Sequence, residues 1–193
     1  MESKGEVNIS PFHTKEQYLD LNLNLNSEEM DWEFAVEILR DRIYGRYLDQ
    51  IETLSSDVNK NGFTIMALNC LLIETLLQFR DGKDETTNNK AEYSGFLKME
   101  FPEVFVTRDI AKNFYTNIRC GILHSAQTKN NSRLSDRDDF VVRVENGILE
   151  VSVLGFTYVL RKYFNEYLKK LLVPEQTELR ENFIKKMNFI CRR

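Results

Sequence analysis

Apolar and polar positions along this chain recur with two different periods, and each period predicts a different element. Trp32, Ala35, Val36, Leu39, Ile43, Tyr47, Ile51 and Leu54 return at steps of three and four, the spacing of one helix face. The pattern predicts a long amphipathic helix over residues 28–56. Ser27 is its expected N-cap, with Glu28, Glu29 and Asp31 favouring the positive end of the helix dipole. Asn61-Gly62 is expected to break the chain before a second helix over 63–80. Ile65, Met66, Leu68, Leu71, Leu72, Ile73, Leu76, Leu77 and Phe79 surround that helix almost completely, which marks it as the buried one. Residues 81–95 are polar without periodicity and are read as a loop. Pro102 closes a short apolar turn. A third helix starts near Thr107, carries Ile110, Phe114 and Ile118, and runs into Arg119–His124.

The period changes at 140–153. Asn146-Gly147 is the preferred two-residue turn of a β-hairpin. That turn sets Val144 opposite Leu149, Val142 opposite Val151 and Phe140 opposite Val153 on one face, with Arg143 facing Glu150 on the other. A fourth helix over 154–172 is stopped by Pro174, and a last one over 175–192 aligns Leu179, Phe183, Met187 and Ile190. Residues 1–26 read as an N-terminal arm, in which Leu21–Asn26 alternates like a strand but consists of poor strand formers. Residues 27–193 read as one domain: a mainly α, antiparallel helical bundle with one inserted β-hairpin.

Composition narrows the function. A chain of 193 residues, 42% hydrophobic and 29% charged, is large enough for one real core. A net charge of −4 excludes binding of nucleic acid through bulk positive charge, though a local basic groove is compatible with it. Lys129, Arg133, Arg137 and Arg143 could track a phosphate backbone; interspersed with acids, they equally suit an ordinary solvated surface. Cys70, Cys120 and Cys191 lie far apart in apolar or helical contexts, as reduced thiols do. The acidic opening Met1–Glu6 resembles neither a signal peptide nor an anchor, and Asn69, Glu74, Thr75 and Gln78 interrupt the longest apolar stretch. A cytoplasmic protein without a membrane partner is expected. Asp136-x-Asp138-Asp139 reads as a solvated loop, so neither metal nor cofactor is expected.

The segment with candidate chemistry is Arg119-Cys120-Gly121-Ile122-Leu123-His124, followed by the small polar residues Ser125, Gln127 and Thr128. Cutting RNA without a metal needs a base for the 2′-hydroxyl proton and a cation for the charged phosphorane. Histidine titrates in the right range, and a guanidinium grips phosphate oxygens in a fork. On a regular helix a five-residue step puts the two about 140° apart, so either Gly121 loosens the turn or two chains combine their groups. Glu74, an acid on an otherwise buried helix, is the natural partner of Arg119. The bland alternatives are a structural Arg119–Glu74 ion pair, a C-capping His124 and a packed Cys120.

Phe114-Tyr115-x-x-Ile118-Arg119-Cys120-Gly121-Ile122-Leu123-His124-Ser125-Ala126-Gln127-Thr128 resembles the signature of the HEPN (higher eukaryotes and prokaryotes nucleotide-binding) superfamily. The helix from Ala67 to Gly82 resembles the one that precedes that signature in a bacterial branch. The match covers residues 60–172. The resemblance implies a helical bundle that dimerises and brings two Arg-x4-His segments together. It also implies one of two activities: metal-independent endoribonuclease, as in toxin–antitoxin, CRISPR and antiviral defence systems, or RNA or nucleotide binding without cleavage. A protein partner such as an antitoxin comes with the first. Cys120 stands where catalytic members carry a polar residue, often Asn, Asp or His. Arg119 and His124 are then the expected catalytic pair, with Glu74, Cys120, Ser125, Gln127 and Thr128 in support. Phe114, Tyr115, Ile118, Ile122 and Leu123 exceed what one helix face needs, which points to a homodimer through the end of the third helix.

Overall fold

The computed structural model describes residues 7–192 and is mainly helical, with one small sheet. Its contacts gather into two compact units. One draws on the chain up to Gln50, on Gln78–Glu85 and on the chain from Tyr163 onward; the other comprises Ile51–Leu77 and Thr86–Lys162.

The first unit begins with helix α1 (Lys15–Leu19), which a capping box holds: Thr14 accepts from the Gln17 N–H while Gln17 accepts from the Thr14 N–H. Helix α2 (Glu29–Ile43) follows. Its N-cap is Glu28 rather than Ser27, whose hydroxyl instead accepts from the Asn24 N–H in the turns before the helix. A π-helical turn (Tyr44–Leu48) follows α2. Gly45 there lies against the Pro11 ring, which leaves no room for a Cβ. Helix α9 (Thr177–Arg192) closes the unit with Phe183, which meets three aromatic rings from distant stretches. Tyr18, Trp32 and Phe79 lie at centroid distances of 6.4, 5.9 and 6.2 Å from it.

The segment before α1 is built into this unit. The Asp41 carboxylate accepts from the Ser10 hydroxyl at 2.6 Å and from the Phe12 N–H at 2.9 Å, and lies 3.0 Å from His13 Nδ1. Arg42 donates to the carbonyl of Ile9. His13, which has no evident role in the sequence, also packs edge-on against Phe34.

Helix α3 (Asp49–Leu54), which enters the second unit at Ile51, leads through a 3-10 turn (Ser55–Asp57) into helix α4 (Val58–Asp81), whose last turn belongs to the first unit. The expected break at Asn61-Gly62 is absent: the Asn61 side chain donates to the Leu54 carbonyl and the helix continues through both residues. The region read as a polar loop over 81–95 is shorter than expected, because helix α5 (Asn89–Glu100) begins inside it, capped by Asn88. Its apolar face (Tyr93, Phe96 and Leu97) is buried. Helix α6 (Arg108–Asn113), capped by Thr107, continues through a π-helical turn (Phe114–Arg119) into helix α7 (Cys120–Ser125). Phe105, Phe114 and Phe156 form an aromatic core here, with centroids 5.0–6.2 Å apart.

The hairpin forms in the expected register: β2 (Val142–Glu145) pairs antiparallel with β3 (Ile148–Ser152) through Val142–Val151, Arg143–Glu150 and Val144–Leu149. Arg143 bonds Glu150 at 2.7 Å. It is not a lone hairpin, because β1 (Arg133–Ser135) adds a parallel strand to the other edge of β3. The expected Phe140–Val153 pair is absent, since Val153 already opens helix α8 (Val153–Leu171).

The continuous helical run Glu29–Asp81 contains one window long and apolar enough to pass as a membrane span, with mean hydropathy 1.5 and 56% of it buried in the fold. Two of the polar residues that interrupt it, Asn69 and Glu74, have partners inside the second unit. Asn69, fully buried, donates to Thr157 at 2.8 Å, and Glu74 accepts from Thr86 and Arg119.

Asp41 supplies a pH test. Burial pushes its carboxyl pKa up, but the bonds from Ser10, Phe12 and His13 outweigh that and hold it below the ordinary value of 3.8. A depressed carboxylate contributes stability that is complete above 3.8 and lost as pH falls through the lower folded value. Urea midpoints of Asp41→Asn should therefore lie below wild type at neutral pH and converge with it in strong acid. A gap that stays constant with pH would show that the carboxylate charge is irrelevant.

Candidate functional site

Arg119 ends the π-helical turn and His124 lies in the last turn of α7, so one continuous helix carries both. Residues 120–125 are regular α-helix. Gly121 does not loosen the turn between them; it lets the chain after the helix return across it. A Cβ at 121 would collide with the Gln127 carbonyl oxygen and come within 3.1 Å of Thr128 Cα. Ala126 makes the reversal in the left-handed region at φ 49°, its N–H bonding the Ile122 carbonyl.

The returning loop is fastened by Asn117, which no pattern in the sequence singled out. Its carbonyl accepts from the Lys129 N–H and its side-chain oxygen from Asn130, both at 2.9 Å. Thr128 closes the loop by donating to the Ser132 carbonyl. Asn130 and Asn131 are also left-handed, a conformation asparagine tolerates better than most side chains. The Thr128 side chain and the Gln127 backbone thus hold a backbone reversal, while the side chains of Ser125 and Gln127 are exposed at the surface.

Arg119 is a largely buried cation with a built surround. Its Nη2 donates to Glu74 at 3.0 Å, the expected pairing, and its guanidinium lies 5.3 Å from the Tyr115 ring centroid. Tyr115 packs edge-on against Tyr93, whose hydroxyl donates to the Cys70 carbonyl. Thr86, from the stretch before α5, donates to the other oxygen of Glu74 at 2.7 Å. Burial works against the Arg119 charge, but Glu74 overrides it, helped by Cys120 and Tyr115, and the pKa is raised. The Tyr115 hydroxyl is pushed up by burial and by Cys120.

Cys120 is half-buried, its sulfur 4.0 Å from Arg119 Nη1. Cys70 is fully buried and its thiol is pushed up to about 12, which leaves it inert as a nucleophile. His124 differs from all of these. It is exposed, and its side chain has no hydrogen-bond or ion-pair partner among the described residues. The structure therefore brings Arg119, Glu74 and Cys120 together and leaves His124 apart from them, facing solvent. Of the five apolar residues that pointed to a dimer, Phe114, Ile118 and Ile122 are buried in the chain itself and Tyr115 covers Tyr93, leaving Leu123 half-exposed.

Set against known proteins, the chain matches no family model, no curated protein and no solved structure.

Two substitutions test the loop return in opposite directions. Gly121→Ala forces backbone apart and should destabilise by about 1–3 kcal/mol. Ala126→Gly removes a left-handed alanine and should stabilise by about 1 kcal/mol. Denaturant melts of the two variants check both signs.

Proposed function

We propose that this chain is a HEPN-type, metal-independent endoribonuclease that acts as a homodimer of helical domains in the cytoplasm. The observation that carries the reading is an exposed, unpartnered imidazole on the same helix as an arginine fixed by Glu74 and Tyr115. An unpartnered imidazole leaves its ring nitrogens open to a substrate, and a guanidinium fork matches the oxygens of a phosphate.

In this mechanism His124 takes the proton of a ribose 2′-hydroxyl. The 2′-oxygen attacks the adjacent phosphorus, and the 5′-oxygen leaves with a proton from an imidazole. The phosphorane charge falls to Arg119, whose fork exchanges Glu74 for phosphate oxygens. The products are a 2′,3′-cyclic phosphate and a 5′-hydroxyl. One chain offers a single base here, so the reaction is best served by two copies with their His124 side chains across one phosphate. The chemistry of two proton transfers, more than the apolar surface left around Leu123, argues for the dimer. Such a nuclease needs restraint, and an antitoxin-like protein partner would supply it.

One observation favours a second reading, a non-catalytic RNA- or nucleotide-binding module that regulates a partner. The Arg119 fork is already occupied by Glu74, and Cys120 takes the place of a polar residue beside it.

Incubation of the purified chain with mixed RNA in EDTA tests the proposal. Cleavage leaving cyclic phosphate ends is expected, reduced about a hundredfold or more in His124→Ala. Cleavage at the wild-type rate by His124→Ala would sink the assignment. Binding without cleavage, lost in Arg119→Ala, would establish the second reading. Light scattering at low micromolar concentration should give about twice the 22.8 kDa chain mass.

A further inference from the structure

Arg180 is the most buried arginine with no acid beside it among the described residues. It keeps only 4% of its surface, yet its side chain makes no hydrogen bond or ion pair with any described residue. Its guanidinium carbon stands 3.6 Å from the centroid of the Trp32 ring, so one face of the fork is covered by indole. Its Nε is fully buried without a partner, as is Trp32 Nε1. Contact with an aromatic face offsets only part of what a guanidinium loses when its water is removed. Buried arginines are therefore normally matched by a carboxylate. The nearest acid felt by Arg180 is Glu175, which acts from beyond ion-pair range while burial lowers the arginine's pKa.

The geometry of the exposed part is specific. Arg180 Nη1 and Nη2 bond nothing described, yet unlike Nε they are not sealed from solvent. The little surface this residue keeps thus includes the outer edge of the fork. A guanidinium stacked on a buried indole, with Nη1 and Nη2 unbonded and not fully sealed, offers two donors that match two oxygens of one oxyanion. We propose that Arg180, stacked on Trp32, is a binding point for an oxyanion, either a carboxylate or a phosphate group of a ligand. It lies in the first unit, and it stands or falls separately from the ribonuclease proposal, whose residues lie in the second.

Trp32 is the single tryptophan of the chain, so its fluorescence reports on this stack alone. Inorganic phosphate and acetate are titrated separately into the full-length protein, with ionic strength held constant by chloride. A saturable change in emission is expected with at least one of them, at about a millimolar for one unassisted fork. The tighter of the two identifies the ligand group. Arg180→Met keeps the apolar stem against the indole and should abolish saturation. Arg180→Lys keeps the charge without the fork and should weaken it at least tenfold, which decides the matter if circular dichroism shows the Met variant unfolded. Emission that chloride alone reproduces, or saturation in Arg180→Lys at the wild-type concentration, would overturn the proposal.

Discussion

A guanidinium placed inside a helical unit is best offset by an anion beside it, and much of the second unit follows from where Arg119 finds one. Leaving such a cation without its carboxylate costs far more than a surface ion pair contributes. Glu74 is supplied by α4, in the middle of its buried length, and is itself steadied by Thr86. The helix carrying Arg119 reaches it through a π-helical turn. That wider turn resets the faces of every residue beyond it. Tyr115 then lies under the guanidinium, Ile118 in the core and Asn117 toward the returning loop. The same rigidity that fixes Arg119 keeps it engaged with Glu74, while the His124 side chain, one turn of helix later, is bound to nothing described.

What the sequence made legible was whatever its own local period encodes. The hairpin register followed from Asn146-Gly147 and the alternation beside it, and the helix starting near Thr107 followed from the spacing of Ile110, Phe114 and Ile118. Glu74 was identifiable because an acid on an almost wholly apolar helix requires a cation. The failures have equally specific causes. Strand β1 is three residues long, and its partner lies beyond an intervening hairpin strand, so no local signal exists for it. Helix α5 was hidden because its apolar residues begin only at Tyr93, after a polar cap and first turn. Asn61-Gly62 has turn composition, yet neighbouring helical structure absorbs it.

The candidate site divides along the same line. That Arg119 and Glu74 belong together could be reasoned from residue types, but that Asn117 anchors the reversal after His124 could not, since its partners are backbone atoms of a loop without a pattern. Arg119 and Arg180 both lie on aromatic rings. The sequence offered an acid for Arg119, whereas only three dimensions show that Arg180 is buried without a side-chain partner among the described residues.

The position of Phe183 has a consequence for how the chain comes into being. Ribosomes release a protein from its N-terminus, so Tyr18, Trp32 and Phe79 emerge long before the ring that they surround. Until α9 arrives, the first unit carries an apolar gap at its centre, whereas every strand and helix of the second unit up to Lys162 is already made. The nascent polypeptide therefore holds one unit able to mature early beside another that stays sticky until late. A chaperone that shields exposed aromatic surface during translation would find its natural client in that interval.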